Sequence, residues 1–428
     1  MHRWYTKFKL KQAMIKYDTS ARSTRSTKIV LINLILNGGT NMKRLKSIDQ
    51  ETIRRLNQKK ILNLLYRNNK LTKQDISQKL DISIPTVISN SNDLIEQGFL
   101  QEAGVAESTG GRKPTIIKFI PDCRYSFGVC ITKDRVRIIL ANLNFNVIHE
   151  TNFHMPENLC DFKDIIIKVR NCVEKIINNL NIPLDKILGI GFSLPGVVDE
   201  KRLFLKNMTN LGIRNIFFKE FECFFKFPVF IENEANASAY AEAFINFSDT
   251  KNSLIFISIT EGVGTGIVIG DSVYKGFNKR AGEFGHMTIV KNGRKCNCGK
   301  MGCWELYASK KALLDEYRNI FNDDKNNLSY FLKMTQTNQK AKAILDTYVD
   351  FLAEGIKNII LTLDPKDILI GGEIFPYKSF IEEDLIKKVF ESNSFYDKNQ
   401  CNVMFSSLGE NASIFGAAFL PMEKIFFL

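Results

Sequence analysis

From Asp49 to about Arg67 the apolar residues Ile53, Leu56, Ile61, Leu64 and Leu65 recur near helical spacing, until Asn68-Asn69-Lys70 breaks the run. Thr72 then opens a short helix. Asp75 stands three residues on as its capping-box partner, and Ile76 and Leu80 form the inner face. Asp81-Ile82-Ser83 reads as a tight turn. Ser83 caps a second, longer helix that tolerates Pro85 in its first turn and ends at Gly98. Its apolar residues Ile84, Val87, Ile88, Leu94 and Ile95 are expected to line one inner face, leaving Thr86, Ser89 and Asn90 pointing outward. A short helix, a three-residue turn and a longer helix make a helix-turn-helix.

Residues 99–120 read as two strands around a loop containing Gly110-Gly111-Arg112-Lys113-Pro114. Pro121-Asp122 marks a boundary. Segments 125–131, 136–143 and 147–153 then read as three successive strands, and a helix follows over 162–180. A buried strand at 187–192 ends in Ser193-Leu194-Pro195-Gly196. Another at 229–232 opens into Asn233-Glu234-Ala235-Asn236-Ala237, where a helix begins. Segments 254–260 and 266–269 form a hairpin joined by glycines. Helices are predicted near 309–322 and 340–361, with a strand at 367–370 meeting Gly371-Gly372. Strands alternating with helices imply an α/β fold.

The first half of this pattern points to DNA. A helix-turn-helix lays its second helix in the major groove, with N-terminal residues on base edges. Ser and Thr pair with several bases, and Asn pairs with adenine through two hydrogen bonds. Thr86, Ser89 and Asn90 are therefore the candidate base contacts. The glycine loop resembles the wing of a winged helix, where Arg112 and Lys113 suit a phosphate or minor-groove contact. The same module with a solvated basic hairpin can bind protein instead.

Charge and composition sharpen this picture only in places. The chain has 428 residues, enough for two or three domains, and its 44% apolar and 25% charged content is that of a soluble globular protein. No apolar run approaches the roughly 20 residues that span a bilayer; residues 29–36 come nearest. Net charge is +13. Much of it sits in residues 1–41, where eight Lys and Arg face Asp18 alone. Gly38-Gly39-Thr40-Asn41-Met42 can be encoded as GGAGGNACNAAYATG, a ribosome-binding site at a sensible distance from a start codon. We therefore expect translation to begin at Met42 and residues 1–41 to be a translated leader. An intact mass that includes Met1 to Asn41 overturns this.

The richest chemistry lies in Gly282-Glu283-Phe284-Gly285-His286 and Cys296-Asn297-Cys298-Gly299-Lys300-Met301-Gly302-Cys303-Trp304-Glu305. His286, Cys296, Cys298 and Cys303 are spaced H-x9-C-x-C-x4-C. Three thiolates and one imidazole are a standard tetrahedral set for structural zinc, with no position left for a reactive water. If His286 gives one ring nitrogen to the metal, its other N–H is free to donate. With Glu283 and Glu305 alongside, it makes a set of fixed donors and acceptors suited to a neutral polyol. The other six of nine cysteines, Cys123, Cys130, Cys160, Cys172, Cys223 and Cys401, are scattered singly. That pattern suits reduced thiols in a cytoplasm.

Glu-x-Gly-His followed by Cys-x-Cys-Gly-x-x-Gly-Cys-x-Glu resembles the signature of the ROK family, whose members are sugar kinases and sugar-responsive repressors. The strings Cys303-Trp304-Glu305-Leu306-Tyr307-Ala308-Ser309, Ile231-Glu232-Asn233-Glu234-Ala235-Asn236-Ala237 and Ser406-Ser407-Leu408-Gly409 are similar within it to the xylose repressors of Gram-positive bacteria. The resemblance covers roughly residues 42–428. It implies a winged helix-turn-helix over 42–120 and a two-lobed, actin-like (ribonuclease-H-like) sugar-binding domain over 121–428. It also implies sugar contacts from Asn233, Glu234, Glu283, His286 and Glu305, with backbone contacts from the Pro195-Gly196 loop. A homodimer or dimer of dimers on operator DNA, with xylose as effector, is expected from the same likeness.

Kinase members of the family carry Asp-x-Gly-Gly-Thr after their first strand. Here that place reads Cys130-Ile131-Thr132-Lys133-Asp134, and Glu234 stands where the family has its catalytic Asp. One added methylene displaces a carboxylate by about an ångström, enough to cost on the order of a hundredfold in rate. Gly262-Val263-Gly264-Thr265-Gly266 and Ile370-Gly371-Gly372 keep the form of nucleotide loops, which a hairpin explains equally well. A sugar-responsive repressor without catalytic residues is the expected function. A sugar kinase with a degenerate phosphate loop is the alternative.

Overall fold

The computed structural model describes residues 50–105, 114–156, 161–208, 211–247, 253–270, 272–322, 327–391 and 395–426. Contacts divide the chain into Met1–Arg55 and Leu56–Leu428. Of the first unit, only residues 50–55, the opening turns of a helix, are described. The basic segment 1–41 and the wing residues Arg112 and Lys113 lie outside the described residues. No helix among the described residues is long and apolar enough to cross a membrane.

The second unit opens with a winged helix. It comprises α1 (Gln50–Asn68, from Leu56 onward in this unit), β1 (Lys70–Thr72), α2 (Lys73–Leu80), α3 (Ile84–Glu96), β2 (Leu100–Val105) and β3 (Thr115–Phe119), and its sheet runs β1-β3-β2. The caps are those the spacing predicts. Thr72 and Asp75 form a reciprocal capping box, and Ser83 accepts from the Thr86 N–H. Gly98 takes φ +80, ending the second helix.

Two five-stranded sheets follow, and they share one topology. The first is built from β4 (Tyr125–Ile131), β5 (Arg135–Asn142), β6 (Val147–His154), β7 (Ile187–Leu194) and β11 (Val229–Asn233), in the order β11-β7-β4-β5-β6. β4, β5 and β6 are antiparallel neighbours, while β7 and β11 join in parallel through α4 (Phe162–Leu180) and a small sheet. That small sheet holds β8 (Val197–Asp199), β9 (Phe204–Met208) and β10 (Ile213–Phe217). The second large sheet repeats the plan. β12 (Ser253–Ile259), β13 (Val263–Ile269) and β14 (Ser272–Val273) are antiparallel neighbours, and β15 (Asp367–Gly371) and β16 (Asn402–Phe405) add in parallel. Parallel strands need long crossovers, and the second lobe uses them to carry α6 (Glu305–Ala308), α7 (Lys310–Phe321), α8 (Leu328–Met334), α9 (Gln339–Leu363) and α10 (Glu382–Phe390).

Two helices join the sheets. α5 (Glu234–Ile245) lies on β12 and β13, α11 (Ala412–Phe426) lies on β4 and β7, and the two helices pack on each other. The approach is close enough that a Cβ on Gly416 would stand 2.1 Å from the Ala237 carbonyl oxygen, so only glycine fits. The winged helix shares this core. Ile61, Leu65 and Phe119 are buried in one cluster with Phe145, Phe244, Phe419 and Phe426. Tyr66 meets Phe244 at 5.0 Å and Phe426 at 5.3 Å between ring centroids. The Asn63 amide donates to the Phe426 carbonyl at 2.6 Å.

Candidate functional site

The metal-type cluster assembles from a loop that glycine permits. His286 ends a 3₁₀ turn at 284–286. Gly302 holds φ +75 with the Val290 carbonyl against it, which turns Cys303 back toward Cys298. The Nδ1 or Nε2 of His286 and the Sγ atoms of Cys296, Cys298 and Cys303 lie within 4.8 Å of one another. Cys296 Sγ is 3.6 Å from His286 Nδ1, and Cys298 Sγ is 3.6 Å from Cys303 Sγ. Sulfur ligands at the zinc bond length stand ~3.8 Å apart in a tetrahedron, so the donor set fits a metal of that size.

The carboxylates crowd the same volume. Glu305 sits at the start of α6, anchored by buried Trp304, whose indole donates to the Phe351 carbonyl at 2.7 Å. Its Oε1 lies 3.3 Å from His286 Nδ1 and accepts from Cys296 Sγ at 3.2 Å. Glu283 Oε2 faces the opposite ring nitrogen, His286 Nε2, at 3.9 Å. Burial raises the Glu283 pKa above the usual carboxylate range, against the pull of His286.

Asn233 and Glu234 stand at the junction of β11 and α5. Asn233 caps the helix by accepting from the Asn236 N–H at 3.1 Å, and its amide donates to the Gly196 carbonyl at 2.9 Å. This ties the Pro195-Gly196 loop to the junction. Glu234 accepts from Ser258 at 2.9 Å and from Ser238 at 3.4 Å. Burial nonetheless lifts its pKa to about 7, with the Glu373 charge adding to the rise.

These residues border two cavities. Asn233 and Glu283 line a small one of about 50 Å³. Glu234 lines a cleft of about 450 Å³ between the lobes, walled by Cys130 to Arg135, Glu261, Lys310 and Glu373. His286 and Glu305 line neither. The carboxylates of Glu234 and Glu305 flank one turn, 3.9 Å and 3.1 Å from the Cβ positions of Gly264 and Gly262.

Two ionic groups lacked any sequence signal, because their members are far apart in the chain. Glu200 and Glu232, from the first lobe, meet Lys275 and Lys279 of the segment after β14. Burial alone would raise the Glu200 pKa, but the hydrogen bond from Lys279 and the Lys275 charge hold it below the usual range. Glu232 also accepts from the Asn233 N–H at 3.0 Å. In the cleft, Lys310 pairs with Glu373 and, at 3.6 Å, with Glu261, which Lys133 approaches at 3.9 Å.

The structure reverses the DNA-facing expectation for Asn90 and for Ile84 and Ile88. Asn90 is 4% exposed and its amide donates back to the Thr86 carbonyl at 2.8 Å, so it does not point outward. Ile84 and Ile88, expected inside, are 43% and 39% exposed. α3 is buried through Val87, Asn90, Ser91 and Leu94 instead. The apolar pattern alone cannot choose between these arcs, because the covering surface comes from other elements. Ser89 is exposed, and Thr86 is half-buried with its hydroxyl 2.8 Å from Ser83 Oγ.

Residues 126–424 match the ROK family, and residues 54–101 match a winged helix-turn-helix DNA-binding family. A xylose repressor of Bacillus spizizenii is 31% identical over 380 residues, covering 88% of this chain and 97% of that protein. An N-acetylglucosamine repressor of Escherichia coli O157:H7 is 24% identical over 336 residues, covering 76% of this chain and 82% of that protein. Among solved structures, a ROK family transcriptional regulator described as a homolog of the E. coli MLC protein aligns with TM-score 0.75. It is 22% identical, covering 87% of this chain and 97% of that one. A ROK family glucokinase from Streptomyces griseus, solved with glucose and AMPPNP, aligns with TM-score 0.57 at 22% identity, covering 69% and 98%. These two structures share the two-lobed α/β fold. The chain belongs to the ROK family, with a winged helix-turn-helix ahead of its ROK domain.

Proposed function

We propose that this protein is a sugar-responsive transcriptional repressor that leaves its operator when xylose enters the ROK cleft. One observation carries the reading. The winged helix and the α5–α11 layer between the lobes share a single hydrophobic core, in a chain that aligns along nearly the whole length of a protein named xylose repressor. A rearrangement of the lobes therefore meets the DNA-binding module through packed side chains and not through a loose tether.

In this reading Asn233, Glu234, Glu283, His286 and Glu305 hold the sugar hydroxyls, which requires the cleft at Glu234 and the small cavity at Asn233 and Glu283 to join on sugar binding, with His286 and Glu305 opening onto them. A carboxylate accepts more hydrogen bonds than Glu234 takes from Ser258 and Ser238, and the Asn233 amide keeps a second N–H, so these groups retain capacity for sugar hydroxyls beside their protein partners. His286, Cys296, Cys298 and Cys303 hold a structural zinc, which when bound supplies a fixed cation that ties the four ligands together. His286 then presents Nε2 toward Glu283, and Glu305 stays beside Nδ1. Thr86 and Ser89 contact operator bases, and Arg112 and Lys113 contact its backbone. A homodimer would set two winged helices over a palindromic site. The protein works inside the cytoplasm in this reading, where its thiols stay reduced.

The kinase alternative is disfavoured on chemistry. The turn from Cys130 to Asp134 lines the cleft without the two glycines that let backbone approach phosphate. Glu234 is directed to Ser258 and Ser238, and Lys310 is engaged by Glu373 and Glu261.

The test is fluorescence anisotropy of the purified protein on DNA from upstream of its own gene, titrated with xylose and then glucose at fixed salt. Release by xylose alone supports repressor, effector and coupling together. Tight binding unmoved by either sugar retains the repressor and discards xylose. No specific binding, with ATP-dependent turnover of a sugar, replaces the reading with the kinase.

A further inference from the structure

We propose that Ile84 and Ile88 read thymine methyl groups in the major groove, so that apolar contact and not only hydrogen bonding sets the operator sequence. The inference rests on the repressor reading and deepens it. Its ground is the outward face of α3. Ile84 and Ile88 are one helical turn apart, on the same side, and 43% and 39% exposed. Neither belongs to the hydrophobic cluster that holds the winged helix together. A single exposed apolar side chain on a protein surface is ordinary. Two β-branched ones stacked on the outer face of the second helix of a winged helix-turn-helix are placed where base edges lie.

The polar groups expected to read bases there are partly spoken for. Asn90 is buried, with its amide on the Thr86 carbonyl, and the Thr86 hydroxyl is 2.8 Å from Ser83 Oγ. What the first two turns of α3 offer outward is therefore two sec-butyl groups, with Pro85, Ser89 and Asn92 beside them and Glu96 exposed only at the far end. Of the four bases, thymine alone carries an apolar group on its major-groove edge. β-branched side chains are stiff about χ1 and lose little freedom on contact. The helical rise between the two residues is about 6 Å, near two base steps of ~3.4 Å each. Charge agrees with this occupant. The first turn of α3 contains no acidic residue, so its N-terminal dipole is left to favour phosphate.

The experiment uses the full chain. Duplexes are enriched from a pool with a random central region, and the most enriched is resynthesised with deoxyuridine for thymine. That change deletes each methyl and keeps every hydrogen-bonding group. We expect the thymine duplex to bind roughly fourfold tighter per contacted methyl. In an Ile84→Ala/Ile88→Ala variant the preference should fall to near one. Both side chains are exposed, and the wild-type comparison needs no variant at all. A wild type that binds both duplexes equally overturns the proposal. So does a preference that survives the double substitution, since other residues would then read the methyls. If the double variant instead changes only the oligomeric state, the face belongs to a protein contact. A pool that yields no enriched sequence defeats the repressor reading itself, which is a different failure from indifference to the methyl.

Discussion

Glu234 sits in surroundings that its sequence neighbours do not imply. Its folded pKa of about 7, against an ordinary 4.5, means that the native state keeps a proton the unfolded chain would release. The stability this contributes is complete below about pH 4.5 and is lost as pH rises through 7. Relative to Glu234→Gln, the wild type should therefore lose on the order of 2–3 kcal/mol between pH 4.5 and 8, read by chemical denaturation at each pH. A pH-independent difference would mean that the carboxyl is better solvated than its contacts with Ser258 and Ser238 indicate. Cys298 carries a second residue-scale prediction. On the proposed reading of one zinc per chain, Cys298→Ala should lower the metal content measured by elemental mass spectrometry. It should also lose the xylose response before it loses DNA binding. Unchanged induction in a metal-free variant would remove the metal from the sugar site's support.

At the scale of elements, α5 joins two jobs. Asn233 caps it, Glu234 opens it, and Phe244 lies in its last turn. Phe244 is 2% exposed and meets Phe419 at 4.5 Å, Phe426 at 4.9 Å and Tyr66 of α1 at 5.0 Å. A rigid helix of this length carries a displacement at one end to the other. Phe244→Leu keeps an apolar side chain but removes the ring contacts. It should cut the ratio of DNA affinities without and with xylose by about tenfold, with sugar affinity changed about twofold or less. Phe244→Ala should instead destabilise the whole unit by roughly 3–5 kcal/mol. If Phe244→Leu leaves the ratio intact, coupling runs through another contact.

At the scale of the molecule, the two ligands must act on each other equally. If xylose weakens DNA binding by some factor, DNA must weaken xylose binding by the same factor. A tenfold effect corresponds to about 1.4 kcal/mol per site, and effective induction needs more than that. Calorimetric titration of xylose into protein, and into the protein–operator complex, should return the factor seen by anisotropy. Unequal factors would mean that the two measurements see different oligomers. The ionic group of Glu200, Glu232, Lys275 and Lys279 joins parts of both lobes beside Asn233.

The capping box of Thr72 and Asp75, the Ser83 cap, the strands and helices named from the pattern and the Cys–His spacing were legible in the sequence, whereas the small sheet of β8–β10, α8, α10, β16 and α11 were not read there. Each legible feature depends on residues a few positions apart, and local backbone geometry converts such spacing directly into structure. The convergence of His286 with three cysteines follows the same logic across one glycine-turned loop. Tertiary structure alone decided which arc of α3 is covered, and so exposed Ile84 and Ile88 while burying Asn90. It also brought Glu200 to Lys279 and Tyr66 to Phe244. These outcomes depend on surfaces supplied by distant segments of chain. A periodic pattern states how wide an apolar face is, but not which neighbour arrives to cover it.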